Sequence, residues 1–135
     1  MQDAGEALYR FRKPLRLLNS NDYTTVFHEA AFRISHKNFL LLARLNQSAL
    51  PRLGLIVAKK NIRRAVQRNR IKRLSRETFR LQQSLLTGVD VILLARSGMD
   101  ELENNELIQL LNKQWSALQR KVIKNREKQH ALVNS

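Results

Sequence analysis

The chain has 135 residues, with 25 Lys and Arg against 11 Asp and Glu, for a formal net charge of +14. That length suits one domain, and 43% hydrophobic residues can build a modest core. The absence of cysteine excludes disulfides, thiol catalysis and Cys-containing zinc sites; no apolar run approaches the roughly 20 residues of a membrane span; and so large a positive excess, unfavourable by self-repulsion, calls for an anionic partner.

Residues 1–14 are polar and mixed, end at Pro14, and read as a mobile or extended lead to a single domain whose core covers about 15–118. Arg10, Arg12, Lys13 and Arg16 interrupt any charged-then-apolar secretory layout, so a cytoplasmic protein is expected. The Asn19-Ser20-Asn21 cluster can cap a first helix, in which Tyr23, Val26, Phe27 and Ala30 recur at helical spacing. Phe32 and Ile34 predict a short strand, Lys37-Asn38 a turn, and Phe39 to Leu45 a longer strand. Asn46 to Arg52, with Pro51, reads as a loop. Leu53 to Ala58 is a compact apolar strand, weakened slightly by Gly54. A basic helix is predicted over about 65–81. Gly88 then precedes a buried strand, Val89 to Ala95, interrupted only by Asp90, which is expected at a strand end or bonded to backbone. Ser97-Gly98 turns into a final helix with a stripe of Leu107, Leu110, Leu111, Trp115 and Leu118. Asp100, Glu101, Glu103 and Glu106 sit in its first turns, where carboxylates oppose the helix dipole. After Gln119 the chain turns basic, and 119–135 either extends the helix or frays. The order αβββαβα predicts an α+β, two-layer sandwich of helices on a small sheet.

Most of the charge lies in one window. Between Lys59 and Arg80 ten Lys and Arg residues accompany one acid, Glu77. On a helix from Ala65, Arg68, Asn69, Lys72, Arg73, Arg76 and Arg80 step by three, four or seven and share an arc. Ile71, Leu74, Thr78, Leu81 and Leu85 take the opposite arc, and Arg70 falls nearer the apolar side. Solvated helix faces usually mix both signs, whereas this one is nearly all positive. Nucleic acid is the favoured partner, because Arg forks onto phosphate oxygens and stacks on bases. A membrane-surface helix or an acidic protein partner is the alternative.

The run Arg52-Leu53-Gly54-Leu55-Ile56-Val57-Ala58-Lys59-Lys60, followed by Arg68-Asn69-Arg70-Ile71-Lys72-Arg73 and Arg76, resembles the bacterial ribonuclease P protein subunit and its RNR motif. The likeness extends from about Leu17 to Leu118. It implies a ribonucleoprotein endonuclease in which a catalytic RNA, with its own Mg2+, cuts precursor tRNA to form the mature 5′ end, while the protein binds that RNA and the substrate's 5′ leader. On that resemblance Arg68, Asn69, Arg70, Lys72, Arg73 and Arg76 face RNA, Lys59 and Lys60 extend the rim, and Tyr23 and Phe27 line a leader groove between the first helix and the sheet. Read from spacing alone, Tyr23 and Phe27 are ordinary core residues. Leu42 stands where some members carry Tyr, and Arg64 where many carry Asn. The family likeness also implies a left-handed crossover from the third strand through the basic helix to the fourth, against the usual right-handed rule.

The protein itself lacks the pattern of a nuclease. His28, His36 and His130 are scattered without carboxylate partners at useful spacing, and no Gly-rich phosphate loop or Ser-His-Asp ordering occurs. No catalytic side chain and no dedicated protein metal site are expected. The rivals are a structural RNA-binding protein, indifferent to a 5′ leader, and a stand-alone protein nuclease.

Overall fold

A computed structural model of the chain describes residues 16, 19–46, 48 and 50–134; the lead expected over 1–14 lies outside the described residues. Its elements are α1 (Ser20–Glu29), β1 (Phe32–Ser35), β2 (Phe39–Leu45), β3 (Arg52–Ile56), α2 (Ala65–Leu81), β4 (Val89–Ala95) and α3 (Asn104–Asn134), with short 3-10 turns at Gln83–Leu85 and Met99–Glu101. The expected α+β order is therefore present. The strands form one open sheet in the order β1-β2-β4-β3. β1 and β4 flank β2 as antiparallel partners, while β3 runs parallel to β4 and reaches it through α2.

Alternation along the strands divides the sheet into two unlike faces. Phe32, Ile34, Phe39, Leu41, Ala43, Leu53, Val91 and Leu93 point to one side, where Ile71, Leu74 and Phe79 of α2 and Leu107, Leu111, Trp115 and Leu118 of α3 close a dry core. The other side carries Leu42, Ile56, Ile92 and Leu94, and among the described residues α1 alone packs there, through Val26 and Tyr23.

Local chemistry accounts for the element ends. Asn19 caps α1: its side chain accepts from the Asp22 N–H, and Asp22 reaches back to the Asn19 N–H, a reciprocal capping box. Gly88 turns the chain into β4 at φ +76°, a region that favours glycine, and a Cβ there would lie 3.3 Å from the Ser48 carbonyl.

Three details depart from expectation, while the residues after Gln119 take one of the two courses left open. β3 stops at Ile56 because the Ala58 carbonyl is engaged in the next turn, accepting from the N–H groups of Asn61 and Ile62. Leu81 and Leu85, expected on the apolar arc, are 62% and 51% exposed. The buried set of α2 is Ile71, Leu74, Ser75, Thr78 and Phe79; Leu81 lies at the margin of that stripe, and the helix has ended before Leu85. The basic residues after Gln119 extend α3, with Val122 buried and the Arg126 guanidinium donating to the Thr87 carbonyl at 2.8 Å. Finally, Asp90 stands one residue inside the start of β4, near the expected strand end, but is satisfied by side chains and not by backbone. It is 1% exposed, with side-chain partners described below.

Candidate nucleic-acid interface

The basic helix is seated by its apolar side. The Trp115 indole N–H donates to Thr78 Oγ1 at 2.8 Å, Thr78 Oγ1 donates to the Leu74 carbonyl at 2.8 Å, and the Trp115 and Phe79 rings meet edge-on at 5.3 Å. Buried polar groups are favoured when paired, so this chain of donors helps set the roll of α2 and thereby which side faces out. The entry is fastened differently from a capped helix. Arg64 is the N-cap residue with no side-chain hydrogen bond, while Arg68 Nη1 donates to the carbonyls of Ile62 and Arg63 at 3.0 and 2.8 Å.

Of the residues expected to face RNA, Asn69 and Arg73 are exposed, Lys72 and Arg76 are half-buried along the same side, and Lys59 and Lys60 stand exposed on the preceding turn. Among the described residues, Lys59, Lys60, Lys72 and Arg73 have no acidic partner at ion-pair distance. Arg68 shares the arc but is tied down as above. Arg70 turns away from it: Nε donates to Gln67 Oε1 at 2.8 Å, Nη1 to Asn104 Oδ1 at 2.7 Å and Nη2 to the Asp100 carbonyl at 3.1 Å. It clamps α2 to the start of α3, as its place near the apolar side foreshadows.

Arg76 marks where the basic arc comes nearest to Tyr23 of α1. Burial first, and then the charge of Arg16, hold the Arg76 guanidinium below its ordinary pKa, with Tyr23 acting in the opposite sense. A cation crowded by a second cation gains from an approaching anion. Arg16 itself sits on the free edge of β3, bridged to Leu53.

Tyr23 and Phe27, the two rings expected to line a leader groove, lie one helical turn apart on α1, over the less covered face of the sheet. Tyr23 is half-buried against the Val26–Ile92 cluster, beside Leu42, Ile56 and Leu94, and its hydroxyl accepts from the Leu55 N–H at 3.2 Å. Phe27 is 45% exposed. One ring thus carries a packing role and the other presents an open face. Leu42, where some relatives are expected to carry Tyr, supplies apolar floor.

Sequence reasoning missed what holds α1 at its distance from the sheet. Asp90 lies opposite both Arg44 and Arg52 in the strand register. Arg52 grips it through two bonds of 2.9 and 2.8 Å, Asn46 Nδ2 donates to it at 2.6 Å and Arg44 Nε at 3.3 Å. Each arginine also reaches α1: Arg52 to Asp22 at 3.5 Å near its start, Arg44 to Glu29 at its end. Burial alone would push the Asp90 carboxyl up, but the hydrogen bonds from Arg52 and Asn46, with the charge of Arg52 and the Arg44 bond, hold it below the ordinary carboxylate value. The available signal was an acid near the start of β4 with arginines near the ends of two neighbouring strands.

The three histidines lie on separate elements, His28 on α1, His36 after β1 and His130 near the end of α3. His36 stacks on Phe39 at 5.3 Å and its Nδ1 accepts from the Asn38 N–H. Burial, then Lys37, Lys113 and Arg96, push its pKa down. Among the described residues no three His, Asp or Glu side chains gather as a metal-ligand group, and no helix is long and apolar enough to cross a membrane.

Comparison with known proteins agrees with this geometry. Residues 11–119 match the family model described as Ribonuclease P. The ribonuclease P protein component of Chromohalobacter salexigens is 48% identical over 114 residues, 84% of this chain and 89% of the relative. That of Marinobacter nauticus is 49% identical over 111 residues, 82% and 83% of the two chains. Among solved structures, the RNase P protein from Thermotoga maritima superposes with a TM-score of 0.59 at 28% identity, covering 73% of this chain and 96% of that one. A mutant RNase P protein of Staphylococcus aureus shares the fold at a TM-score of 0.69, covering 80% and 90% at 24% identity.

Proposed function

Because this chain belongs to the bacterial ribonuclease P protein family, we propose that it binds the catalytic RNA of ribonuclease P with the basic side of α2 and holds the 5′ leader of precursor tRNA in the groove beside α1. Family membership makes it a protein component of a tRNA-processing ribonuclease. The finer reading rests above all on one observation: the exposed cations of α2 adjoin the Tyr23 and Phe27 side of α1, with Arg76 close enough to Tyr23 for the two to interact. RNA phosphates along α2 would release condensed counterions, giving affinity that falls steeply with salt. A strand continuing past Arg76 would enter a cleft where Phe27 offers a π-face to unpaired bases without demanding one sequence.

In this reading the Mg2+-dependent cleavage belongs to the RNA, in the cytoplasm, and the protein orients substrate and neutralises converging phosphates. Among the described residues the most buried carboxylate, Asp90, is already engaged by Arg52, Arg44 and Asn46, which suits it to fastening α1 rather than to ligating an ion.

The test is cleavage of a 5′-extended precursor tRNA at low magnesium by protein alone, catalytic RNA alone, and both. Cleavage in the combination only is expected, together with tighter binding of precursor than of mature tRNA. Cleavage by protein alone would make it a nuclease in its own right, and equal affinity for precursor and mature tRNA would make it a structural RNA-binding protein.

A further inference from the structure

The family match ends at residue 119, yet α3 continues unbroken to Asn134. Between Arg120 and Asn134 the chain carries five Lys and Arg residues and one acid, Glu127. Lys121, Lys124 and Lys128 step by three and four and so share a side of the helix. They face the outer strand of the sheet. Lys121 Nζ donates to the Arg33 carbonyl of β1 at 3.2 Å, and a shallow depression of about 350 Å³ is lined by Phe32 and Arg33 together with Lys121, Lys124, Asn125 and Lys128. Among the described residues Arg33, Lys124 and Lys128 make no ion pair, and Glu127 makes none with them.

The position of this patch relative to the groove gives it meaning. α1 lies across the strands, its start tied to Arg52 of β3 and its end to Arg44 of β2. The groove along α1 therefore runs from the β3 edge toward the β1 edge. At the β3 end stand Arg76 and Arg16. At the β1 end stands Arg33, whose register partner is Leu42, so Arg33 shares the α1 side of the sheet with the groove floor. The sheet has four strands, and three spacings of about 4.8 Å separate its edges by roughly 14 Å. A strand of RNA crossing that width leaves the groove at Arg33 and meets the lysines of α3 next.

We infer that the basic extension of α3 is a second phosphate-binding site, which takes the part of the single-stranded leader that has run off the β1 end of the groove. Lysines suit this role, because a compact charge on a flexible stem meets phosphates without selecting a base. The inference rests on the leader-groove reading, and the experiment separates the two.

The holoenzyme, reconstituted from the full chain and the catalytic RNA, is titrated with precursor tRNAs whose leaders are lengthened one nucleotide at a time. The wild type should gain affinity over the first nucleotides, as the groove fills, and gain several-fold again as the leader passes it. Lys124→Ala/Lys128→Ala should abolish the second gain and keep the first. It should also lower the salt slope of the long-leader complex by about 1.4, at roughly 0.7 per single-strand phosphate contact. Lys124→Arg/Lys128→Arg should restore both. Both lysines are exposed, so an unchanged unfolding midpoint is expected and excludes misfolding as the cause. A second gain that survives in the Ala variant overturns the inference and leaves the groove reading standing. An equal loss with mature tRNA overturns it in favour of contact with the tRNA body or the catalytic RNA. No first gain in the wild type would overturn the groove reading, and this inference with it.

Discussion

The two sides of the sheet are held by opposite means. On one side α2 and α3 close over Phe39, Leu41, Val91 and Leu93, all nearly or fully buried, and area burial supplies the attraction at about 25 cal/mol per Å². On the other, a ten-residue helix with one fully buried side chain, Val26, is bracketed at both ends by arginines that share a single carboxylate. Apolar contact draws neighbours together until no gap is left. An ion-pair bracket instead sets a position while leaving space beside it. A chain that needs a firm base for a charged helix and an open cleft beside an aromatic one has reason to use both.

The largest effect expected from disturbing this contrast is on the dry side. Trp115→Ala should cost about 3–5 kcal/mol of stability, read by urea denaturation, since it removes the largest fully buried side chain and leaves Thr78 without its donor. Next comes the bracket. Asp90→Asn should cost about 2–3 kcal/mol. Because the Asp90 pKa is depressed in the folded protein, its contribution is fully present above the unfolded carboxyl pKa of about 3.9 and is lost as pH falls through the lower folded value. Wild-type stability should therefore decline across that acidic range more steeply than that of the variant; parallel pH profiles would show that the bracket contributes no linkage.

Smaller effects test what each side presents. Phe27→Ala should weaken leader-bearing substrate by about 1–2 kcal/mol, the loss of one stacked base, seen as a raised Michaelis constant with the unfolding midpoint nearly unchanged. Smallest in free energy, and sharpest as a contrast, is the pair Arg73→Ala and Arg70→Ala. The first should lower the salt slope of RNA binding by about one unit and leave stability alone. The second should lower stability by about 1 kcal/mol, because its three bonds are internal. Equal slopes for the two variants would mean that Arg70 leaves its clamp to meet RNA.

Much of this was legible in the chain because periodicity survives without partners. Ile71, Leu74 and Thr78 on one side of α2, and Arg73 and Asn69 on the other, follow from helical geometry alone, as does the stripe ending at Leu118. The family likeness supplied the roles of Tyr23 and Phe27, which spacing by itself assigns to the core, and the structure gives Tyr23 a share in packing. What could not be read depends on strand register. Asp90 meets Arg44 and Arg52 only because three strands align at one row, across sequence separations of 46 and 38 residues. The clamp of Arg70 likewise depends on where α3 begins, and the seat of Lys121 on which strand forms the sheet edge.

The Trp115–Thr78 contact has an optical consequence. Trp115 is the sole tryptophan and is fully shielded, on the side of α2 opposite the basic arc. Its emission should therefore report the seating of α2 on α3 and be nearly blind to what lies on the arc or in the groove. A titration with RNA that leaves the emission maximum in place records docking on an unchanged frame, whereas a shift to longer wavelength records the loosening of that frame. The protein thus carries its own indicator for separating loss of binding from loss of fold, with no dye attached.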